Sequence, residues 1–416
     1  MLIEIHAIQN HSPGNLNRDD LGAPKTCYFG GVMRSRISSQ CIKRSIRMSE
    51  QFGQLLGGVA TRRLAQLIAG NGTDSPEFDK AAKVLKLCGI APKERKGRDP
   101  DELAREDKSA GRVYTTRPAI EEMASLLKAS HQRSDRDLAR EFASIIEKHT
   151  AVPDMALCGR MLEPKKPEKA RENSSPESSE TDDNDGGGKG KDKGIWSGLD
   201  LGVEAALQVA HAISTHEARP EVDYFVAADD IPGDDAGAAY VDEAMFASAC
   251  FYKYFSIHWE TLVRNLRGNA QLAAHTVGAF VRGAALTNPT GKQNSFAAHN
   301  PPDGIVVEVK REGGAPISYA NAFADPVPSK GPRDMVSESI ARLSHYIHDL
   351  DVGYGKAAGH KRFWFSPNLR YSLTWIEEKA QRECADQNLK ALDDLVAAVT
   401  KEMGFDWQDV QKITIN

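Results

Sequence analysis

A run of cations near the start of the chain has the residue types of a phosphate-binding surface. No acidic residue occurs between Leu21 and Ser49, although the whole chain has a formal net charge of -5. The cations of this run are Lys25, Arg34, Arg36, Lys43, Arg44 and Arg47. Concentrated Lys and Arg side chains attract an anionic partner, and neutral Ser and Gln side chains bond phosphate oxygens without adding charge. The run therefore predicts an anion site, with a solvated basic helix face as the alternative.

The local sequence also predicts how this surface is built. The Gly-Gly pair at 30–31 favours a turn, and Ser38 or Ser39 is a good N-cap for a helix from Gln40 to about Gly53. Residues three and four apart share a helix face, so the last three cations would lie within one turn of each other. The first turn would add free backbone N–H groups, which themselves attract anions.

The segment before this helix is the place where metal or acid–base chemistry has to be considered. Leu2–Gln9 is typical of a strand, and His11–Lys25 is a loop that is longer than the usual ~2–6 residues. It carries Asp19-Asp20, but the sequence offers no further cluster of oxygen ligands, so an Asx turn or a salt bridge is favoured.

Histidine spacing gives no metal site either. His211 and His216 are five residues apart and do not match the i, i+4 pair of a metal-binding helix, so both are interpreted as structural. We predict no catalytic residue, no metal and no cofactor.

Composition limits the class of protein. The six cysteines of the 416 residues are scattered without a CxxC spacing, which favours a reducing cytosol. The first residues lack the pattern of a signal peptide, and no run approaches the ~18 apolar residues of a membrane helix. We therefore expect a cytoplasmic protein without a membrane partner.

Residues 54–150 are predicted to be helical, with Ser134 as an N-cap and a charged interruption at Lys93–Arg112. Val152–Met161 indicates a short strand or turn. Pro164–Gly194 has only one apolar side chain, Ala170, and is predicted to be a disordered spacer.

The second half reads as strands with helices between them. Val203–Ser214 predicts an Ala-rich helix, and the segment from VDYFVA to Tyr240 predicts a projecting hairpin. Phe246–His258 and Gly304–Lys310 predict strands, and Ile317–Phe323 is expected to pair beside the second of them. The helices are expected at Trp259–Leu266, at Asn269–Leu286 and in an amphipathic tail with Leu389, Leu392, Leu395, Val396 and Val399 inward. No GxGxxG follows a strand, so an α+β sheet with insertions is favoured over a doubly wound fold.

Two apolar side chains are candidates for contacts with bases. Phe225 begins the projecting segment, and aromatic rings stack on bases of single strands. Met161, next to Arg160, is placed to act as an apolar wedge. Core packing is the alternative for both residues.

A series of motifs resembles the backbone subunit of the type I-E CRISPR Cascade surveillance complex, the CasC family. HSPGNLNRDD is followed by FGG and RISSQCIKR, and then by ALCGRM, VAHAISTH, VDYFVAADD, FYKY, FAAHNPPD, SYANAF and VGYG in the same order. The resemblance spans nearly all of the chain. Pro164–Gly194 departs from it as an insertion, and the tail past Lys361 matches weakly.

The resemblance implies an α+β fold shaped like a hand, with an RRM-like (ferredoxin-like) palm, a helical fingers insertion and a β-hairpin thumb. In chain order, the implied segments are a first palm segment over residues 1–53, the fingers over 54–150, a palm return over 151–163, the disordered insertion over 164–194, a palm helix over 195–221, the thumb over 222–245 and a second palm segment over 246–416.

The resemblance also implies roles by matched position. The residues that would hold crRNA phosphates are Arg18, Lys25, Ser38, Gln40, Lys43 and Arg47. Met161 would wedge near a flipped base, Phe225 would lie on the thumb that crosses the guide–target duplex, and Lys330 and Arg333 would follow in the loop after SYANAF. Arg34, Arg36, Arg44 and Arg160 complete the expected RNA-binding set from their own sequence positions.

The implied function is a non-catalytic subunit that polymerises along the guide RNA in antiviral defence. Its expected partners are crRNA, the target DNA strand through the guide duplex, other copies of itself and other Cascade subunits. Two alternatives stay open: a metal-dependent RNase that uses Asp19 or Asp20, and a general single-strand nucleic-acid binder.

Overall fold

The structure is a computed structural model that describes residues 1–70, 75–90, 113–129, 133–162, 195, 199, 202–227, 240–311, 314–328, 333–356, 359–377 and 380–414. Two compact units divide the chain: Met1–Leu56 with Ala205–Asn416, and Gly57–Glu204. The predictions for Lys93–Arg112, Pro164–Gly194 and Lys330 lie outside the described residues.

The described strands share a numbering in chain order: β1 Leu2–Gly14, β2 Thr26–Phe29, β3 Val32–Ile37, β4 Gly58–Thr61, β5 Val113–Thr116, β6 Leu207–Val209, β7 Ala212–Ser214, β8 Glu221–Ala227, β9 Tyr240–His258, β10 Gly304–Lys310, β11 Lys361–Phe365, β12 Thr374–Glu377, β13 Ala380–Glu383 and β14 Gln387–Leu389.

The described α-helices are numbered in the same way: α1 Ser39–Arg47, α2 Glu50–Gly53, α3 Leu64–Ile68, α4 Pro76–Leu87, α5 Arg117–Lys128, α6 Asp135–Lys148, α7 Pro153–Cys158, α8 Trp259–Asn265, α9 Ala270–Leu286, α10 Gln293–Phe296, α11 Met335–Tyr354, α12 Leu392–Glu402 and α13 Trp407–Val410. A 3₁₀ helix covers Ala320–Phe323.

The first unit is built on one mixed sheet with the order β14-β11-β10-β1-β9-β7-β3-β2, and β6 and β8 also pair with β9. The strands pair antiparallel except β11 with β14. Leu2–Gln9 of β1 is buried throughout, because helices cover both faces of a central strand and leave neither face to water. This α+β arrangement agrees with the predicted fold class.

The two faces of this sheet have different covers. On one face Tyr252 of β9 and Val306 of β10 pack in a buried cluster with Leu343 of α11. On the other face Phe255 of β9 meets Phe280 of α9 edge-on, with ring centroids 5.4 Å apart. The helix α1 lies on this second face as well, since a Cβ on Gly283 of α9 would stand 2.9 Å from Ile46.

The strand β9 is 19 residues long and serves two structures. Its later residues pair with β1, for example Lys253 with Ala7. Its first residues, Tyr240–Phe246, pair with β8 as an antiparallel hairpin, with Phe225 opposite Asp242. The second strand of the predicted hairpin and the predicted strand at Phe246–His258 are therefore one continuous strand, β9.

The second unit is helical around its own core. Leu138, Phe142 and Ile146 of α6 are buried with Met123 of α5 and Val84 of α4. The predicted N-cap is present, because the hydroxyl of Ser134 accepts from the N–H of Asp137 at 3.2 Å. The unit is not helical throughout, however, since β4 pairs with β5.

The largest correction concerns Val203–Ser214, which is not a helix. The segment contains β6 and β7, and both pair with β9, Leu207 opposite Ile257 and Ile213 opposite Tyr252. The described residues of 195–221 accordingly contain strands and no palm helix. Alanine has the highest helix propensity, but its advantage is less than ~1 kcal/mol per residue, so hydrogen bonding to the sheet and burial of Leu207 and Ala212 outweigh it.

Three smaller predictions also differ from the structure. Val152–Met161 contains the helix α7, which begins at Pro153, a residue that favours the first helical turn. Ile317–Phe323 does not pair with β10; it ends in the 3₁₀ helix. Leu389 lies in β14, whereas Leu395, Val396 and Val399 are buried on α12 as predicted.

The helices after β9 and the strand Gly304–Lys310 match the prediction closely. Among the described helices none is long and apolar enough to cross a membrane.

Candidate nucleic-acid interface

The loop between β1 and β2 is a folded unit fastened to the start of α1. The side chain of Asn15 donates to the carbonyls of Gly22 and Met245, both at 2.8 Å. The side-chain oxygen of Asn17 accepts from the N–H of Ser38, the N-cap of α1, at 2.8 Å. The backbone oxygen of Asn17 accepts from the N–H of Lys25 at 2.9 Å, so the two ends of the loop are joined beside the helix.

The Asp19-Asp20 pair lies in this loop, and Asp19 forms the Asx turn that the sequence predicts. Its Oδ1 accepts from the N–H groups of Leu21 and Ala23, each at 2.9 Å. This loop borders an exposed cleft of about 490 Å³, whose lining includes Arg18, Asp20 and Gly291. Across the residues that the structure describes, no group of three or more His, Cys, Asp or Glu residues could hold a metal ion.

The helix α1 presents a polar, basic face. The hydroxyl of Ser38 accepts from the N–H of Cys41 at 3.4 Å and caps the helix as predicted. Ser39, Ile42 and Ile46 are buried, which turns the opposite face outward. That outer face consists of Gln40, Lys43, Arg44 and Arg47, and no acidic residue lies in the first turn.

The Gly-Gly pair forms a hairpin turn between β2 and β3. Gly30 and Gly31 have φ values of 61° and 80°, and Phe29 pairs with Val32, as in the two-residue turns that need positive φ. A Cβ on Gly30 would stand 1.7 Å from the carbonyl oxygen of Ala324. The pair therefore serves chain packing, and the phosphate interpretation rests on α1 and its loop.

Arg34 is a correction to the predicted RNA-binding set. Its side chain is fully buried, and the guanidinium donates to four backbone carbonyls: Phe29 at 3.1 Å, Ser214 at 3.1 Å, Phe323 at 2.8 Å and Ala324 at 3.3 Å. These carbonyls come from three separate segments, so the side chain joins β3 to the end of β2, to the end of β7 and to the end of the 3₁₀ helix. Arg34 is a structural residue.

Arg36 is half-buried next to this surface and has partners of its own. Its Nε donates to the carbonyl of Thr26 at 3.2 Å, and its Nη1 donates to Nδ1 of His211 at 2.9 Å. Burial, together with the charges of Arg36 and Lys25, lowers the pKa of His211. His211 is thus kept neutral in a locally positive region; His216 is buried and accepts from the N–H of Cys250 at 3.1 Å.

The pKa of Cys41 indicates which cations lie close to the first turn of α1. Burial raises the pKa of the Cys41 thiol in the first turn of α1, whereas Lys25, Arg44 and Lys253 lower it. The structure therefore brings together Lys25 from the loop, Arg36 from β3 and Arg44 from the outer face of α1. Arg18 lies exposed in the same loop, where it pairs with Pro24.

The other predicted residues belong to other elements of the chain. Phe225 is 41% exposed on the β8–β9 hairpin, together with Tyr224 at 70% and Val226 at 59%. Arg333 is exposed before α11 and lies 3.6 Å from Glu338. In the second unit, Met161 is 85% exposed. Arg160 is a correction, because it is buried and donates to the carbonyl of Ile146 at 2.9 Å.

The sequence analysis did not assign a role in this region to two residues, Asn17 and Lys253. Asn17 fixes the loop to the helix cap, and an Asn in a polar loop carries no distinguishing local signal. Lys253 is 2% exposed on β9, beneath α1. For Lys253 the sequence does contain a signal, because this lysine stands within the aromatic stretch Phe251–Phe255.

The sequence matches the model of one protein family over most of its length. The model of the CT1975-like protein family matches residues 3–174 and 195–398. The ranges leave out 175–194, which lies inside the predicted insertion. No curated protein matches the chain.

Two similar solved structures are chains of surveillance complexes. One, from a "CRISPR RNA-guided surveillance complex, pre-nicking", is 26% identical over 97% of this chain and 100% of that chain, with a TM-score of 0.74. The other, from a "CRISPR RNA-guided surveillance complex", is 22% identical over 96% of this chain and 100% of that chain, with a TM-score of 0.53, and its likeness concerns the fold.

Proposed function

Because the chain belongs to the CT1975-like protein family, we propose that it is a non-catalytic crRNA-binding subunit of a CRISPR surveillance complex. More specifically, it would form the backbone of a type I-E Cascade by polymerising along the guide RNA. Base pairing then reads the target sequence, and the protein needs only to hold the shape and charge of the RNA backbone.

The observation that carries this proposal is the outer face of α1 with its attached loop. Gln40, Lys43, Arg44 and Arg47 form one polar face without an acidic residue in the first turn of the helix. Lys25 and Arg18 lie in the loop that is bonded to the cap of the same helix. A face of cations and amide donors suits a sugar-phosphate strand, whose charge and phosphate oxygens such groups hold in any sequence.

The sheet order supports an RRM-like palm. Four strands lie side by side in the order β10-β1-β9-β7, and β6, which precedes β7 in the chain, also pairs with β9. The helix α1 follows β1, and α9 lies between β9 and β10 on the same face. This is the β-α-β-β-α-β succession of a ferredoxin-like unit. In this proposal the β8–β9 hairpin with Phe225 is the thumb, and Met161 contacts a displaced base.

The partners follow from this arrangement. Copies of the chain would associate head to tail into an open filament along the guide, which needs a heterologous contact. Target DNA would be contacted through its duplex with the guide, and the other Cascade subunits would close the filament ends.

The test is binding of labelled single-stranded RNA as a function of salt. The wild-type protein is expected to bind RNAs of unrelated sequence with similar affinity. Lys43→Ala with Arg47→Ala is expected to weaken binding of all of them and to reduce the slope of log K against log salt by roughly 1.4, about 0.7 per lost phosphate contact. Lys390→Ala with Lys401→Ala removes the same charge from positions elsewhere in this unit and is the matched control.

An unchanged slope in the Lys43/Arg47 variant, or an equal loss in the control, would refute the phosphate assignment. Nucleic acid that co-purifies with the protein should be sized and sequenced, because a lack of repeat-derived guides would identify a general single-strand binder. Cleavage of complementary RNA at regular steps with a divalent ion, lost in Asp20→Ala, would contradict the non-catalytic assignment.

A further inference from the structure

Lys253 has an unusual position for a lysine. It lies in the middle of β9, opposite Ala7 of the central strand β1. Its neighbours on the same face of the sheet are Phe251 and Phe255, and Phe255 packs against Phe280 of α9. The side chain is 2% exposed. It is therefore enclosed between the sheet and the helices that cover this face.

The side chain of Lys253 has no anionic partner among the described residues. None of the hydrogen bonds or ion pairs that these residues form involves it. Lys310, by contrast, is also buried, but its ammonium group contacts Glu4 and lies 3.6 Å from Glu308. A buried ammonium group without a partner is costly, so proteins rarely retain one without a use for it.

The groups around Lys253 are neutral or positively charged. On β1, burial and the charge of Lys253 lower the pKa of His11 to about 3, so this histidine is neutral. On α1 burial raises the pKa of Cys41, so this thiol is protonated. His211, in the link between β6 and β7, is exposed, and its pKa is lowered by desolvation and by the charges of Arg36 and Lys25.

The nearby cations are Lys25 in the loop, Arg36 on β3 and Arg44 on α1. The described neighbours that act on these groups include no carboxylate. The described residues thus supply no negative charge to compensate these cations, whereas a bound polyanion would supply it.

The position of Lys253 relative to α1 indicates where that charge would be. Cys41 is in the first turn of α1, and the field of Lys253 reaches it. The first turn carries backbone N–H groups that attract anions, and α1 has nine residues with no acidic side chain in that turn. The helix start and the buried ammonium group therefore act on the same outside position.

We propose that Lys253 is a buried member of the phosphate-binding surface, whose charge is compensated by the RNA backbone held at the start of α1. This inference rests on the proposed function and deepens it. Because Lys253 is only 2% exposed, we expect it to act mainly through its field and to displace little or no counterion. Its field acts through a poorly screened interior, so its effect persists at salt concentrations that weaken the surface cations.

The proposal predicts that the affinity for RNA decreases at alkaline pH. Burial lowers the pKa of Lys253 to about 8 in the free protein. A bound polyanion favours the charged form and raises that pKa. Below about pH 8 Lys253 is charged in both states and affinity is highest; as pH rises further the free protein loses this proton first, and affinity falls about tenfold for each unit by which RNA raises the pKa.

The experiment measures the affinity of full-length protein for an RNA of A and C only, from about pH 7 to about pH 9.5. Such an RNA avoids the bases that lose protons in this range. The wild-type affinity is expected to fall as pH rises. Lys253→Met should bind weakly and with little pH dependence, and Lys253→Arg, whose guanidinium stays charged, should keep its affinity at high pH.

Two further measurements keep the result interpretable. Lys43→Met, on the outer face of α1, should bind more weakly at every pH and show a smaller salt slope, but retain the wild-type fall with pH. Lys253→Met should retain the wild-type salt slope, and its unfolding midpoint should not be lower than that of the wild type, because an unpaired buried charge has been removed.

A wild-type affinity without pH dependence, or an equal fall in Lys253→Met, would overturn this inference and leave the proposed function standing. A wild-type protein that fails to bind RNA at about pH 7 would overturn the proposed function and this inference with it.

Discussion

Two groups of charged residues in the first unit are compensated in opposite ways. Across β1, β10 and β11, Glu4 stands opposite Glu308, and Glu308 stands opposite Arg362. Arg362 is 1% exposed and donates to Glu308 and to both oxygens of Asp351, at 2.8 and 3.0 Å. On the other side of the same sheet, the first turn of α1 holds no acidic residue, and Lys253 beneath this helix is buried among neutral groups and cations.

We interpret the first group as charges that stabilise the fold and the second as charges that the proposed RNA ligand would compensate. Burial by itself would raise the pKa of Glu308, but Arg362 and His360 together hold it well below its usual value. In this network each carboxylate has a cationic neighbour within the protein. Beneath α1 the described residues supply no opposite charge, and burial there lowers the pKa of Lys253 because no carboxylate compensates it.

The strongest way to break this comparison is to remove Arg362. Arg362→Met would leave Glu308 buried without its main partner, and we expect a loss of about 3–5 kcal/mol in the free energy of unfolding. Arg44→Met on the outer face of α1 should change it by no more than about 0.5 kcal/mol. Denaturant unfolding measures both, and equal midpoints for the two variants would show that the ion network does not hold the sheet.

Arg34 tests the boundary between the two classes, since it belongs to the basic run but is bonded like a core residue. Arg34→Met should lose about 2–3 kcal/mol of stability, because four carbonyls lose a charged donor. At a temperature where the variant is folded, its RNA salt slope should equal that of the wild type. Lys25→Met should show the reverse, with normal stability and a slope smaller by about 0.7. A reduced slope in Arg34→Met would return it to the ligand-binding class.

The buried side of the sheet should also respond to acid. Burial lowers the pKa of His6 from 6.5 to about 3. The unfolded chain therefore takes up a proton below 6.5 that the folded protein refuses until about 3, and stability falls through that window. The loss from this residue is about 2 kcal/mol by about pH 5.

His6→Phe should flatten this dependence, because its ring can stay between Tyr254 and Tyr319, whose centroids lie 5.1 and 4.3 Å away. Urea unfolding at several pH values measures the slope. A slope that does not change in His6→Phe would assign the acid sensitivity to another group, such as His11.

The smallest effect is expected at the cap of α1. Ser38→Ala removes the acceptor of the Cys41 N–H and should cost about 1 kcal/mol, which Ser38→Thr should largely restore. The unfolding midpoint reports this change. Because the cap orients the outer face, RNA affinity should fall slightly in the alanine variant only, and an alanine variant that matches the wild type in both respects would show that the loop alone positions α1.

What the sequence could predict here was local. The Ser38 cap, the shared face of Lys43 and Arg47 and the Asx turn of Asp19 depend on residues within one turn of each other. Strands with strong β-propensity, such as Gly304–Lys310, were also found with correct ends.

What it could not predict depended on distant partners. The burial of Arg34 is decided by the carbonyls of Phe323 and Ala324, which lie 289 and 290 positions away along the chain. Val203–Ser214 has helical composition, but its backbone is used by β9. Local propensity, which differs by less than ~1 kcal/mol per residue, does not foresee such pairing.

The length of β9 has a mechanical consequence. At about 3.3 Å per residue, its path from Phe246 at the base of the hairpin to Lys253 covers about 23 Å without a turn. The hairpin therefore projects from the sheet and is anchored by the part of β9 that lies under α1. A force on the exposed ring of Phe225 would be transmitted along the backbone of β9 to Lys253, so a displacement of the hairpin would reach the sheet beneath the basic helix.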